Sequence, residues 1–168
     1  MTKKYIISNL SGLHKDAENA KSSTKKFFKK IDKKLPAGFD GLVHNLHDEI
    51  FSKIDCLSCG NCCKTLGPRI INQDIDRLSK HLKIKQNIFI EKYLKIDEDN
   101  DYVFKSMPCP FIDNENYCMV YSERPKACRE YPHTNRRKFH QLLDITLKNT
   151  FTCPAVFEIV EELKRKIK

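Results

Sequence analysis

Tryptophan is absent from this 168-residue chain, and glycine occurs only five times, at positions 12, 38, 41, 60 and 67. Those glycines never fall into G-x-G-x-x-G or a P-loop spacing, so no backbone cradle for a nucleotide phosphate is expected. Long apolar runs are missing too. Nothing approaches the roughly 18 to 20 residues that a bilayer span requires. Near the amino end Lys3 and Lys4 lead only into Tyr5-Ile6-Ile7 before polar Ser8 and Asn9, too short a run for a secretory leader. These absences predict a soluble cytoplasmic protein, in a compartment where thiols stay reduced. Asp97, Asp99 and Asp101 alternate as in a calcium loop, but the glycine and downstream glutamate of an EF-hand are missing. A solvated turn is the expected structure there.

Against these gaps stand eight cysteines, four of them in Cys56-x2-Cys59-x2-Cys62-Cys63. In a reducing compartment such density serves metal binding or catalysis rather than disulfides, and a bond between neighbours Cys62 and Cys63 would be strained. The formal net charge is +9, and it is unevenly placed: residues 1 to 34 hold ten lysines against Asp16, Glu18 and Asp32. Lys25, Lys26, Lys29, Lys30, Lys33 and Lys34 recur around Phe27, Phe28 and Ile31 at helical spacing. That pattern predicts the solvated face of an amphipathic helix. The lysines could meet nucleic acid or anionic lipid, but no DNA-reading motif accompanies them, and a nucleic-acid partner is not expected.

Periodicity predicts a mainly α fold with one small β-hairpin. Pro36 and Gly38 close a lysine-rich helical arm over residues 1–38, leaving 39–168 as a cysteine-cluster domain. Asp40 is placed to cap a helix with Leu42, Val43, Leu46, Ile50 and Ile54 inward, and His44 and His47 on it read as packing or surface residues. Further helices are expected from Asn72, with Ile75, Leu78 and Leu82 inward, and over 86–95 through Ile88, Phe89, Tyr93 and Leu94. The acidic run 97–101 then turns between two short strands, the second being Tyr102-Val103-Phe104.

A C-x2-C turn brings two sulfurs to one ion, and backbone amides aimed at sulfur reduce the cost of thiolate charge. Gly60 and Asn61 suit the left-handed conformations of such knuckles. Cys62 extends the spacing to the first three positions of a bacterial ferredoxin run, whose fourth cysteine precedes proline. Two pairs fit that description, Cys109-Pro110 and Cys153-Pro154. Pro154 suits the first position of a helix with Val156, Phe157, Val160, Leu163 and Ile167 inward, so Cys153 becomes its cap, at the positive end of the dipole. Arg124-Pro125 repeats the arrangement before Cys128, and Arg124 and Arg129 are placed either to neutralise sulfur charge around a metal site or to serve as surface or carboxylate-pairing residues.

Taken in order, Cys56 to Cys63, Pro108-Cys109-Pro110-Phe111, the stretch from Cys118 through Tyr121-x2-Arg124-Pro125-x2-Cys128-Arg129-x2-Pro132, and Cys153-Pro154-Ala155 resemble the YkgJ-type CxxCxxCC family. The resemblance runs from about residue 50 to 160 and leaves the lysine-rich arm outside. It implies binding of zinc or iron without fixing the metal or the role; the triple cysteine spacing favours an iron–sulfur cluster, with a redox or accessory role and a protein or redox partner. A structural zinc-binding interaction module is the second reading. Related cysteine clusters occur in flagellin lysine-N-methylase, so a methylation-related enzyme is the third, although no methyl-donor segment stands out and a self-contained enzyme is not expected.

Eight ligands divide into two fours. Cys56, Cys59, Cys62 and Cys153 form one set by the ferredoxin analogy, and Cys63, Cys109, Cys118 and Cys128 the other. Cys62 and Cys63 would feed both sites by pointing to opposite sides of an extended backbone. A single four-cysteine site, with Met119 or His133 in support, is the competing division, and a local turn is the expected role of His133. Hard ions such as magnesium and calcium do not suit thiol ligands.

Overall fold

The computed structural model describes residues 10–167. In chain order these form α1 (Leu10–Lys33), α2 (Phe39–Phe51), the single-turn helices α3 (Cys56–Cys59) and α4 (Asn61–Thr65), α5 (Asn72–His81), α6 (Gln86–Tyr93), strands β1 (Leu94–Ile96) and β2 (Tyr102–Phe104), then α7 (Lys126–Glu130), α8 (Leu143–Asn149) and α9 (Pro154–Lys166). Short 3-10 turns cover Tyr121–Glu123 and Phe139–Leu142. The fold is thus mainly helical with one antiparallel pair of strands, as the periodicity predicts. The Tyr5-Ile6-Ile7 run lies outside the described residues. Among the described residues no helix is long and apolar enough to cross a membrane.

The chain packs as two compact units, one reaching up to Asp55 and resuming at Pro132, the other spanning Cys56–Tyr131. In the first, α1 buries Phe27, Phe28 and Ile31 against Val43, Leu46 and Ile50 of α2 and Val156, Ile159, Val160 and Leu163 of α9. Each such side chain contributes roughly 1.5–3 kcal/mol when fully removed from water. The α1 lysines 25, 26, 29, 30 and 33, and Lys34 just beyond them, stay exposed, as an amphipathic helix requires. On α9 the inward set is Ala155, Val156, Ile159, Val160 and Leu163; Phe157 and Ile167 are only half-buried, because the helix is rotated by about one position from the expected face.

Asp40 does cap a helix, but not its own. Left-handed Gly38 precedes α2, while the Asp40 carboxylate accepts the backbone N–H groups of Lys138 and Phe139 at 2.6 and 3.0 Å, holding the 3-10 turn that opens there. His44 and His47 also serve packing. Nε2 of His44 lies 3.1 Å from the Arg136 carbonyl oxygen, Nδ1 of His47 lies 2.7 Å from the Thr134 hydroxyl, and the His47 ring meets Phe51 at 4.4 Å.

The second unit gathers Ile70, Ile75, Leu78, Phe89, Leu94, Phe104 and Val120 around Phe111. The Phe111 ring stacks on Phe89 at 6.4 Å and meets Tyr93 and Phe104 at 5.0 and 5.6 Å. Leu82 caps α5 half-buried, Ile88 is exposed, and Leu94 opens β1 rather than closing α6. The strands pair in the register Leu94↔Phe104, Lys95↔Val103 and Ile96↔Tyr102. Between them Asp97 Oδ1 accepts the N–H groups of Asp99 and Asp101, so the acidic run spends a carboxylate on its own turn.

Candidate metal centre

Seven of the eight cysteines lie in the second unit, and they reach it from four places. The first is the α3–α4 pair of helical turns. Gly60 separates them with φ +56°, and a Cβ there would stand 2.9 Å from Cβ of Asn116. Asn61, expected to share the left-handed turn, instead opens α4. Cys62 and Cys63 therefore sit on a helix, not an extended strand, because closing the Gly60 turn puts Lys64 N–H onto the Gly60 carbonyl at 3.1 Å and starts a new helical ladder. Successive residues on a helix diverge by about 100° rather than 180°. Their sulfurs are 4.0 Å apart, close enough for a weak S–H···S contact.

The second and third places are the two ends of a tight hairpin that sequence periodicity did not reveal. The Cys109 N–H donates to the Cys63 carbonyl at 2.8 Å, Met119 N–H to Phe111 at 2.8 Å, and Ile112 pairs with Cys118. Asp113 Oδ1 holds the turn by accepting the N–H groups of Glu115 and Tyr117, and left-handed Asn116 at its tip donates to the Ser58 carbonyl at 3.2 Å. Backbone N–H groups point at the sulfurs: Phe111 and Ile112 at Cys109, Val120 at Cys118, and Asn61 at Cys59. This is the knuckle chemistry expected of the C-x2-C turn, reproduced twice more where no such motif is visible.

The fourth place is α7, carrying Cys128, and its mooring was not foreseen. Asp74 on α5 is wholly buried and accepts the N–H of Lys126, the first residue of α7, at 3.0 Å and that of Ile71 at 3.2 Å. Arg77 pairs with it at 2.7 Å and also donates to the Glu123 and Arg124 carbonyls. The available signal was an Asp-x2-Arg pair at i, i+3, which is common on helix surfaces and did not distinguish itself. Pro125 stands at the cap of α7 rather than at its first position.

Cys63, Cys109, Cys118 and Cys128 fall within one another's electrostatic reach in all six pairings. Burial, with a smaller contribution from the neighbouring sulfurs, pushes the Cys109 thiol up to about 11 and that of Cys128 up to about 12. Burial likewise raises Cys118. Cys63 moves the other way, to about 7, through the hydrogen bond with Cys62 and the positive charges of Arg124 and Lys64. Arg124 also opposes the rise at Cys118 and Cys128; its guanidinium stacks over Tyr121 at 3.8 Å. Arg129 donates to the Arg124 carbonyl at 3.2 Å and so supports the loop that presents Arg124.

Of the first expected set, Cys56, Cys59 and Cys62 lie together on α3 and α4, with Cys59 buried and Cys56 exposed. Burial raises Cys59, which senses Cys63. Cys153 belongs to the first unit and caps α9 ahead of Pro154, the position its sequence predicts. Met119 is 60% exposed, and left-handed His133 occupies a turn closed by Arg136 N–H. The four neighbouring thiols do not yet form a closed coordination shell: among the described residues no three His, Cys, Asp or Glu side chains stand in metal-holding geometry. Four soft sulfur donors with amides and an arginine directed at them nonetheless suit a thiophilic ion, and would suit magnesium or calcium badly.

A small helical scaffold that gathers thiols in this manner defines a cysteine-cluster protein. The sequence model of the CxxCxxCC family, described as "Putative zinc- or iron-chelating domain", matches residues 55–149, and the chain belongs to that family. The matched span holds seven cysteines and ends before Cys153. No solved structure matches the chain.

Proposed function

We propose that the protein binds zinc or iron at a four-thiolate centre made by Cys63, Cys109, Cys118 and Cys128, and that the ion holds the loops of the second unit together. The observation that carries this reading is that those four thiols, presented by α4, both ends of the hairpin and α7, sense one another's charge, with Cys109 bonded through its backbone to Cys63. The backbones that present three of the four, Cys63, Cys109 and Cys118, are tied by the Cys109–Cys63 and Ile112–Cys118 pairings, and binding an ion would require the four side chains to turn toward it. When bound, zinc supplies an inert crosslink, and iron adds one-electron redox chemistry. The chain's part is to aim amides at the sulfurs of Cys109 and Cys118 and to set Arg124 against the thiolate charge, while the four thiol protons would leave to solvent as the ion binds. Stapling suits a unit whose segment between β2 and α7 carries little regular structure of its own.

The spacing of Cys56, Cys59 and Cys62 favours a second reading for those three thiols, an iron–sulfur cluster with a redox role. Anaerobic purification separates the metals: brown protein with broad visible absorption indicates iron–sulfur, colourless protein with stoichiometric zinc the structural centre. Cys128→Ser should release one equivalent of metal per chain, while Met119→Ala releases none. Full metal content in Cys128→Ser overturns the four-thiolate reading.

A further inference from the structure

The lysine-rich face of α1 is not used by the thiol centre. From Lys25 to Lys34 six lysines are set against one carboxylate, Asp32. Several lysines elsewhere pair with neighbouring carboxylates, Lys21 with Glu18 at 3.0 Å, Lys53 with Glu49 at 2.7 Å and Lys80 with Asp76 at 2.8 Å. Among the described residues none of these six makes an ion pair or a side-chain hydrogen bond. Five of them, Lys26, Lys29, Lys30, Lys33 and Lys34, line an open groove of about 510 Å³ together with Pro36 and Ile167. Beside the groove Leu35, between Lys34 and Pro36, is 46% exposed where the chain leaves α1. A solvated helix face needs neither the unpaired concave arrangement nor the exposed leucine.

We propose that this groove docks the first unit on an anionic lipid bilayer, the lysines taking headgroup phosphates and Leu35 entering the interface. Charge complementarity and the position of Leu35 argue for lipid over nucleic acid. Clustered lysines are drawn to an anionic leaflet, and an apolar side chain among them adds affinity that a phosphate backbone could not use. A single strand would call for aromatic platforms, and no aromatic side chain lines the groove. Docking is peripheral: Phe27, Phe28 and Ile31 are committed to the core, so α1 meets the bilayer through its charged face and not by burying its apolar one.

The test is co-flotation of the full chain with vesicles of pure phosphatidylcholine and with vesicles of equal phosphatidylcholine and phosphatidylserine. Binding is expected only to the second. Lys29→Glu/Lys30→Glu/Lys33→Glu should lower that partitioning by roughly a hundredfold or more. Leu35→Ser, which leaves every charge in place, should lower it by roughly threefold to tenfold. Lys83→Glu/Lys85→Glu reverses exposed charge that does not line the groove and should change little; circular dichroism establishes that each variant is folded. Equal binding to both vesicles, no binding to either, or undiminished binding by the folded triple variant or by Leu35→Ser overturns the proposal. So does retention of a mixed-sequence DNA duplex at salt concentrations that release the anionic vesicles, which would make the groove a nucleic-acid surface.

Discussion

Gly60 and Gly41 show how differently one residue type can be constrained. At Gly60 a side chain meets both a left-handed backbone and the Asn116 side chain, whereas at Gly41, inside α2, an added Cβ has nothing within 4 Å. Gly60→Ala should therefore destabilise the second unit by roughly 1–3 kcal/mol. Gly41→Ala should stabilise by about 0.5–1 kcal/mol through helix propensity. Urea denaturation of the two variants measures both, and equal effects would refute the contrast. His47 makes a residue-scale prediction of another kind. Burial holds its imidazole below the ordinary value, with Asp48 opposing and His44 assisting. The unfolded chain then takes up a proton at higher pH than the folded one, so this contribution is complete above the unfolded value of about 6.5 and is lost as pH falls toward the folded value. Replacing His47 with Gln should flatten the fall in stability between neutral and mildly acidic pH, measured by denaturant titration across that window.

Among the elements, those legible in the sequence are those whose apolar residues repeat. Ile75 and Leu78 mark α5, Val43, Leu46 and Ile50 mark α2, and the proline after Cys153 marks the start of α9. The 109–119 hairpin is not legible because backbone N–H groups donating to the Asp113 carboxylate and two main-chain pairings close it, not a run of alternating residues. The α3–α4 turns escaped because a three-residue cysteine spacing suits a helical turn as well as a knuckle. Asp74 escaped for a related reason: its acceptors serve amides, including one distant in sequence, that no local pattern announces. Asp74→Ala should free the amino end of α7 and leave Arg77 without its buried partner, costing about 2–4 kcal/mol. The same variant should loosen metal held through Cys128, read as faster transfer to a chromophoric chelator. Unchanged transfer would detach the Asp74 mooring from the centre.

On the scale of the molecule, the cysteine order alone made metal binding legible, and the membership of the CxxCxxCC family supports that expectation. Which sulfurs are neighbours was a question of long-range contacts. Cys63, Cys109, Cys118 and Cys128 sense one another's charge, while the extended geometry expected for Cys62 and Cys63 does not occur, because both lie on α4. A metal that staples the second unit has a regional signature. Chelation should raise hydrogen exchange in α7 and the 109–119 hairpin well before it affects α2 and α9, whose core is supplied by apolar side chains. The most direct measurement is X-ray absorption at the metal edge on the folded triple variant Cys56→Ser/Cys59→Ser/Cys62→Ser. The four-thiolate account predicts one equivalent of metal with four sulfur neighbours at about 2.3 Å. Loss of all metal, or a shell with fewer sulfurs completed by nitrogen or oxygen, would contradict it.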